Sequence, residues 1–222
     1  MGTLDLPQTP LAAEPLYLLI NQHYQVSRQP GAATAMDHDT HDPLWRRCVV
    51  AEASLALMLT LVREQIYPPS PETLVPLSER LALELGALEG LLSNGTPIDA
   101  VAPRISNQAQ RQHVLPAPLV SLLVQTTLFV VLSALADDAR LIIVSTPRTA
   151  QGGVLITVEA DADATRLDTG INAQIKERVG KALCAAGGEL TVTATDRGTW
   201  VASICLSEAW NTHAEVRHRA IA

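Results

Sequence analysis

From Ala117 to Ala136 the chain reads APLVSLLVQTTLFVVLSALA, without one charged residue. Such a stretch has two physical outcomes. It crosses a bilayer, which takes about 20 apolar residues, or it forms a helix walled in by its own protein. Gln125, Thr126 and Thr127 at its centre, Asp137 and Asp138 at one end, and the lack of an aromatic belt favour the walled-in helix. Ser121, Gln125 and Ser133 recur at multiples of four and leave a narrow polar stripe, as expected of a helix sandwiched between a sheet and another layer. Supplying such layers takes apolar material, and 222 residues at 47% hydrophobic content provide it for one large domain or two small ones.

Charge and cysteine usage narrow the partners. Sixteen Lys+Arg against 23 Asp+Glu give a net charge of −7, so no basic field draws in a phosphate backbone, and neither nucleic acid nor a membrane is an expected partner. Cys48, Cys184 and Cys205 form no CxxC pair, which argues against a disulfide framework and a thiolate zinc site and for a reducing, cytoplasmic setting. The opening MGTLDLPQTPLAAEP lacks early positive charge and an apolar block, so it does not read as a signal peptide. Only seven residues are aromatic, which leaves few stacking platforms for bases or sugars.

Four segments are expected. Residues 1–42, rich in Pro, Gln, Thr and Asp, read as a flexible leader. Asp42-Pro43 then reads as a helix cap with proline at the first helical position. Leu44, Cys48, Ala51, Leu55, Met58 and Val62 follow a four-three spacing, a heptad seam that seeks a partner helix. Tyr67-Pro68-Pro69 ends it. A second helix carries Leu77, Leu81, Leu85, Leu88 and Leu92 on one face, starts at Ser70-Pro71 or at Pro76, and closes on a left-handed stop at Asn94-Gly95. The two make an antiparallel helical hairpin over 43–95, and such hairpins commonly pair into a four-helix bundle. A homodimer is therefore expected, with the alternative that the second half of the same chain covers the seams. The expected dimer contacts are Leu44, Cys48, Leu55, Met58, Val62, Leu81, Leu85 and Leu88.

Over 96–210 the texture changes to strands and helices, before a tail at 211–222. LIIVST (141–146) and VLITVE (154–159) read as one hairpin, and LTVTAT (190–195) with WVASICL (200–206) as another. Between them INAQIKERVGKALCAA (171–186) has helical spacing and ends at Gly187-Gly188. The order helix, two strands, helix, two strands predicts an α+β layer with helices on one face of a mixed or antiparallel sheet.

That order, preceded by a helical hairpin, resembles the dimerisation and ATPase domains of sensor histidine kinases and the related histidine phosphotransfer proteins, over about residues 43–208. ALCAAGGELTVTATDRGTWVASICL (182–206) looks like the last helix, Gly-Gly turn and closing hairpin of that ATPase fold, and SERLALELGALEGLLSNG (78–95) resembles the second hairpin helix of the kinases. The resemblance implies an α/β sandwich after the hairpin and a place in two-component signalling. It also implies positions that this chain does not fill. The family holds magnesium through an Asn of the long helix, whereas Pro116 to Ala136 contains no Asn, Asp or Glu, and Gln125 alone binds a hard cation poorly. Val158 to Ala164 (VEADADA) has alanines where the family's adenine-reading Asp and two glycines stand, although a one-residue slip brings Asp161 to that Asp. Between Thr165 and Leu183 only Gly170 and Gly180 appear, so no glycine loop offers free N–H groups to phosphates. An ATPase-like fold that neither binds nor hydrolyses ATP is expected, with no cofactor and no metal.

A phosphoryl-accepting histidine needs an exposed place on the bundle and an acidic neighbour. Residues 43–92 contain no histidine, and His41-Asp42 at the mouth of the first helix is the pair that most resembles the phosphotransfer family's. DHDTHD (37–42) also reads as a hydrated linker before a helix start that favours negative charge, or as imidazoles and carboxylates suited to zinc or nickel. His113 reads as a satisfied strand residue. Arg46, Arg47, Arg63 and Glu52 are expected on the outward side of the first helix, either as a solvated face or as a docking surface for a partner's acidic pocket, in the way the resembling family docks receiver domains. No GxSxG occurs and no Cys stands beside His. Two functions result: a non-catalytic, dimeric signalling protein that binds a partner such as a response-regulator receiver domain, or a histidine phosphotransferase working through His41 with Asp42.

Overall fold

The computed structural model describes residues 41–96, 101–149, 153–163, 173–194 and 199–207. The chain divides into two units, 1–41 and 42–222. The expected leader, the first four residues of DHDTHD and the tail lie outside the described residues. In chain order the elements are α1 (His41–Ile66), β1 (Leu74–Pro76), α2 (Leu77–Gly95), β2 (Arg104–Gln108), β3 (Val114–Pro116), α3 (Ala117–Ala136), β4 (Leu141–Ser145), β5 (Val154–Asp163), α4 (Ala173–Ala185), β6 (Gly188–Ala194) and β7 (Thr199–Leu206).

Prolines organise the first half. α1 stops where Tyr67-Pro68-Pro69 withdraws two N–H donors. Pro76 and Pro116 each end a three-residue strand and stand at the N-cap of the helix that follows. The two strands pair antiparallel, with Val75 opposite Leu115. At each helix start the first N–H crosses to the residue just before the partner strand: Leu77 N–H donates to the His113 carbonyl and Ala117 N–H to the Thr73 carbonyl, both at 2.8 Å. Donors that a helix start leaves orphaned are satisfied in this way. Of the two expected starts for α2, the one at Pro76 is observed. Its end differs from expectation, since Gly95 is helical and the chain leaves through an extended Thr96 whose hydroxyl donates to the Leu92 carbonyl.

The second half follows the expected order. A five-stranded sheet runs β2-β4-β5-β7-β6, with β2 parallel to β4 and the other neighbours antiparallel. Alternation along β7 buries Trp200, Ala202, Ile204 and Leu206, and Val154, Ile156 and Val158 of β5 face the same way. α3 and α4 pack together over this face, with α2 beside α3 and β2. α4 closes on Gly187, whose φ of +76° is a left-handed stop. Gly188 then passes so close to β7 that a Cβ would sit 2.7 Å from the Cys205 carbonyl oxygen.

α3 is long and apolar enough to cross a membrane by length and composition, and 72% of its most apolar window is buried inside this fold. Its central polar side chains are silenced locally. Thr126, Thr127 and Ser133 donate to the carbonyls of Leu122, Leu123 and Phe129, each one turn back.

The leucine face of α2 corrects one expectation. Leu81, Leu85 and Leu88, read as contacts between two copies, are 0%, 2% and 5% exposed within a single chain, and α2 packs on α3, β1 and β2. A heptad seam demands a neighbour without naming it, and here the chain's own layers are the neighbour.

Candidate functional site

Two faces of α1 frame the first half of the site. Arg46, Val50, Ala53 and Leu57 are buried, and Glu64 lies in line with them. The Arg46 guanidinium donates to the Ala139 carbonyl just past the end of α3 at 3.3 Å, with Asp138 3.6 Å away. Near the other end of α1, Glu64 accepts from the Gln125 side chain, which also donates to the Ser121 hydroxyl at 3.0 Å. The start of α1 meets the end of α3 and its end meets the middle of α3, so the two helices run antiparallel.

Arg46 therefore is not on the outward, solvated face expected of it: it is 6% exposed, and its charge lies at the carbonyl end of α3, where the helix dipole favours a cation. Arg47 is exposed as expected. Glu52 is only half-exposed, and its Oε1 is buried without a hydrogen-bond partner. Cys48 is exposed, Leu55 is 38% exposed and Val62 is half-buried, while Met58 at the edge of the seam packs partly against the core, so the seam is open mainly at Cys48 and Leu55. His41, Asp42 and Leu44 lie in the first turn of α1, and their side chains are outside the described set.

The end of β5 forms the second half. The strand runs past Glu159 to Asp163, with its pairing to β7 irregular between Ala160 and Asp163. Alternation turns Ala160 and Ala162 to the helix layer, where they are buried, and turns Asp161 to the other face. There the Asp161 carboxylate accepts the backbone N–H groups of Arg140 at 2.7 Å and Leu141 at 2.9 Å, tying down the start of β4. Beside Ala160, directly across the ladder, stands Trp200 with its indole fully buried and its N–H without an acceptor. Methyl groups and an indole fill this part of the helix-facing layer.

His113 sits where the β1–β3 ribbon meets α2. Burial, and then the charge of Arg111, hold its imidazole below the ordinary histidine range, and its Nε2 has no partner. It was read as satisfied and is not. A shallow groove of about 480 Å³ between α4 and β6 is lined by Glu177, Lys181, Cys184 and Glu189, but Lys181 is already paired with Glu177.

Sequence reasoning missed Glu64 and Trp200 and put Arg46 on the wrong face of α1. A signal existed for Arg46 and Glu64, because both are in helical register with Val50, Ala53 and Leu57. Trp200 carried none, since its neighbour Ala160 is 40 positions away and becomes adjacent only through strand pairing.

No family model matches the chain, and no curated protein matches it. Among solved structures it is similar to the histidine kinase domain of the blue-light activated histidine kinase EL346 from Erythrobacter litoralis, at 16% identity and a TM-score of 0.45, over 89% of this chain and 86% of that one. It is similar to the mycobacterial sensor histidine kinase MprB at 13% and 0.43, over 60% and 95%. The cytoplasmic segment of histidine kinase QseC is matched at 14% and 0.44, over 79% and 100%. Likenesses at this level concern arrangement and assign no activity.

Proposed function

We propose that this chain is a dimeric, cytoplasmic signalling protein of the two-component type that keeps a histidine-kinase-like arrangement without binding ATP and acts by docking a partner such as a receiver domain. The observation that carries this reading is the end of β5. Asp161, the carboxylate that a one-residue slip would bring to the family's adenine-reading place, is held on backbone N–H groups at the start of β4, and Ala160, Ala162 and Trp200 fill the helix-facing side. Alanine methyls also stand where glycines would let a backbone approach a ligand. On α3, Gln125 is the candidate in place of the family's Asn, and a single neutral amide is a poor ligand for a hard cation. Dimer contacts in this proposal are Leu44, Cys48, Leu55, Met58 and Val62, and partner contacts are Arg47 and its surroundings on the open side of α1.

Titration with a magnesium-ATP analogue, followed by tryptophan fluorescence and calorimetry, tests the reading. No saturable binding up to millimolar ligand is expected, and micromolar binding overturns it. The second reading, phosphotransfer through His41, is kept because α1 begins at His41 and places the His41-Asp42 pair on the helix. Incubation with a phosphorylated receiver discriminates the two. Acid-labile label that disappears in His41→Gln supports phosphotransfer, and its absence leaves docking alone.

A further inference from the structure

Arg46 and Glu64 are eighteen positions apart, about five full turns at 3.6 residues per turn, so they project from the same line of α1. Val50, Ala53 and Leu57 share that line and are buried. Cys48, Leu55 and Val62 lie on the opposite side, and Ala51 and Met58 flank them. α1 thus carries two apolar faces roughly half a turn apart, while only one can lie on α3. Hydrophobic burial is non-directional and chooses poorly between faces of similar size. The polar contacts are directional. Arg46 reaches the Ala139 carbonyl only with the Val50 face inward, and Glu64 meets the buried Gln125 amide only in the same setting.

From this geometry we propose that Arg46 and Glu64 are positioning residues, two pins that select which apolar face of α1 is presented outward, and that α1 without them rotates by about half a turn to present the other. Breaking a pin leaves a polar group stranded in the core: Gln125 is 6% exposed and would keep only Ser121 as a partner. Buried polar groups used in this way fix register rather than add net stability. The seam of Cys48, Leu55, Met58 and Val62 is therefore displayed only while the pins hold, and any event that unpins α1 exchanges that surface for one of Val50, Ala53 and Leu57. The inference concerns α1 and α3 alone and stands whether or not the chain binds nucleotide.

Thiol reactivity reads the rotation directly. In the full chain carrying Cys184→Ser and Cys205→Ser, Cys48 is the single thiol and is expected to react rapidly with a maleimide. In the same background with Cys48→Ser and Val50→Cys, the thiol is expected to be protected. Adding Arg46→Met and Glu64→Met is expected to slow Cys48 at least fivefold and to speed the thiol at position 50 by as much, with cooperative unfolding retained. Arg46→Lys with Glu64→Gln, which keeps a donor and an acceptor, is expected to restore the original pattern. Unchanged rates in the Met variant overturn the proposal, because apolar packing then sets the face alone. Fast reaction at both positions also overturns it, because the helix has detached rather than turned. Should the double Met variant not fold, Gln125→Leu alone removes the second pin, and its failure to shift either rate overturns the proposal equally.

Discussion

Gly188 and His113 show how single residues answer to neighbours far away in the chain. A Cβ on Gly188 would meet the Cys205 carbonyl oxygen and Leu183 Cδ1, each at 2.7 Å, and the oxygen belongs to a central strand that cannot give way. Gly188→Ala is expected to cost about 1–3 kcal/mol, the usual penalty of overpacking. Gly86→Ala meets nothing within 4 Å in mid-helix and is expected to gain about 0.5–1 kcal/mol. Urea unfolding of the two variants checks both signs. His113 adds a pH dependence. Its folded-state pKa is lowered, so the unfolded chain binds the proton more readily, and the contribution of neutral His113 is present above the ordinary value of 6.5 and lost as pH falls through the folded value. Midpoints measured from pH 7.5 down to 5 should drop, and His113→Asn should flatten that slope. Neither effect was legible in the sequence. Gly187-Gly188 announced a helix stop, but the second glycine's need for space comes from β7, and histidine next to Val114 looked like an ordinary strand residue.

Elements were legible in proportion to the length of their periodicity. α3, α4 and the strands β4 to β7 carry enough residues for a period of 3.6 or 2 to show, and they appear within a few positions of expectation. The ribbon of β1 and β3 did not, because three residues are too few to show alternation, and its pairing joins positions 74–76 to 114–116. Its inner side carries Leu115, 2% exposed, and its outer side carries Leu74, 62% exposed. Leu115→Ala is expected to cost about 2–5 kcal/mol, and Leu74→Ala no more than about 0.5 kcal/mol. Thermal melts of the pair check whether this short ribbon, which seats the starts of α2 and α3, matters out of proportion to its size. α1 presents the converse case. Its heptad seam was plain, yet the face it buries is the other one, because a buried arginine bonded to a carbonyl 93 positions away reads, along the chain, as a solvated charge.

At the scale of the molecule, the two leucine-bearing seams divide into one that builds the chain's own core and one left open, and mutation separates them. Leu85→Glu places a charge at a site 2% exposed and is expected to unfold the protein. Leu55→Glu, on the open side, is expected to leave the melting temperature within a few degrees while converting the proposed dimer to a monomer, as read by light scattering. A dimer that persists in Leu55→Glu moves the interface elsewhere. What the amino-acid order determined by itself is the list of elements and the alternating or helical face of each, since both depend on residues only a few positions apart. Tertiary structure alone decided which apolar face met which neighbour, that Arg46 would be buried and Asp161 bonded to the backbone at the start of β4, and that Trp200 would come to lie against Ala160. Those outcomes turn on contacts between residues tens of positions apart, and a hydrophobic pattern records the demand for burial without recording the partner that meets it.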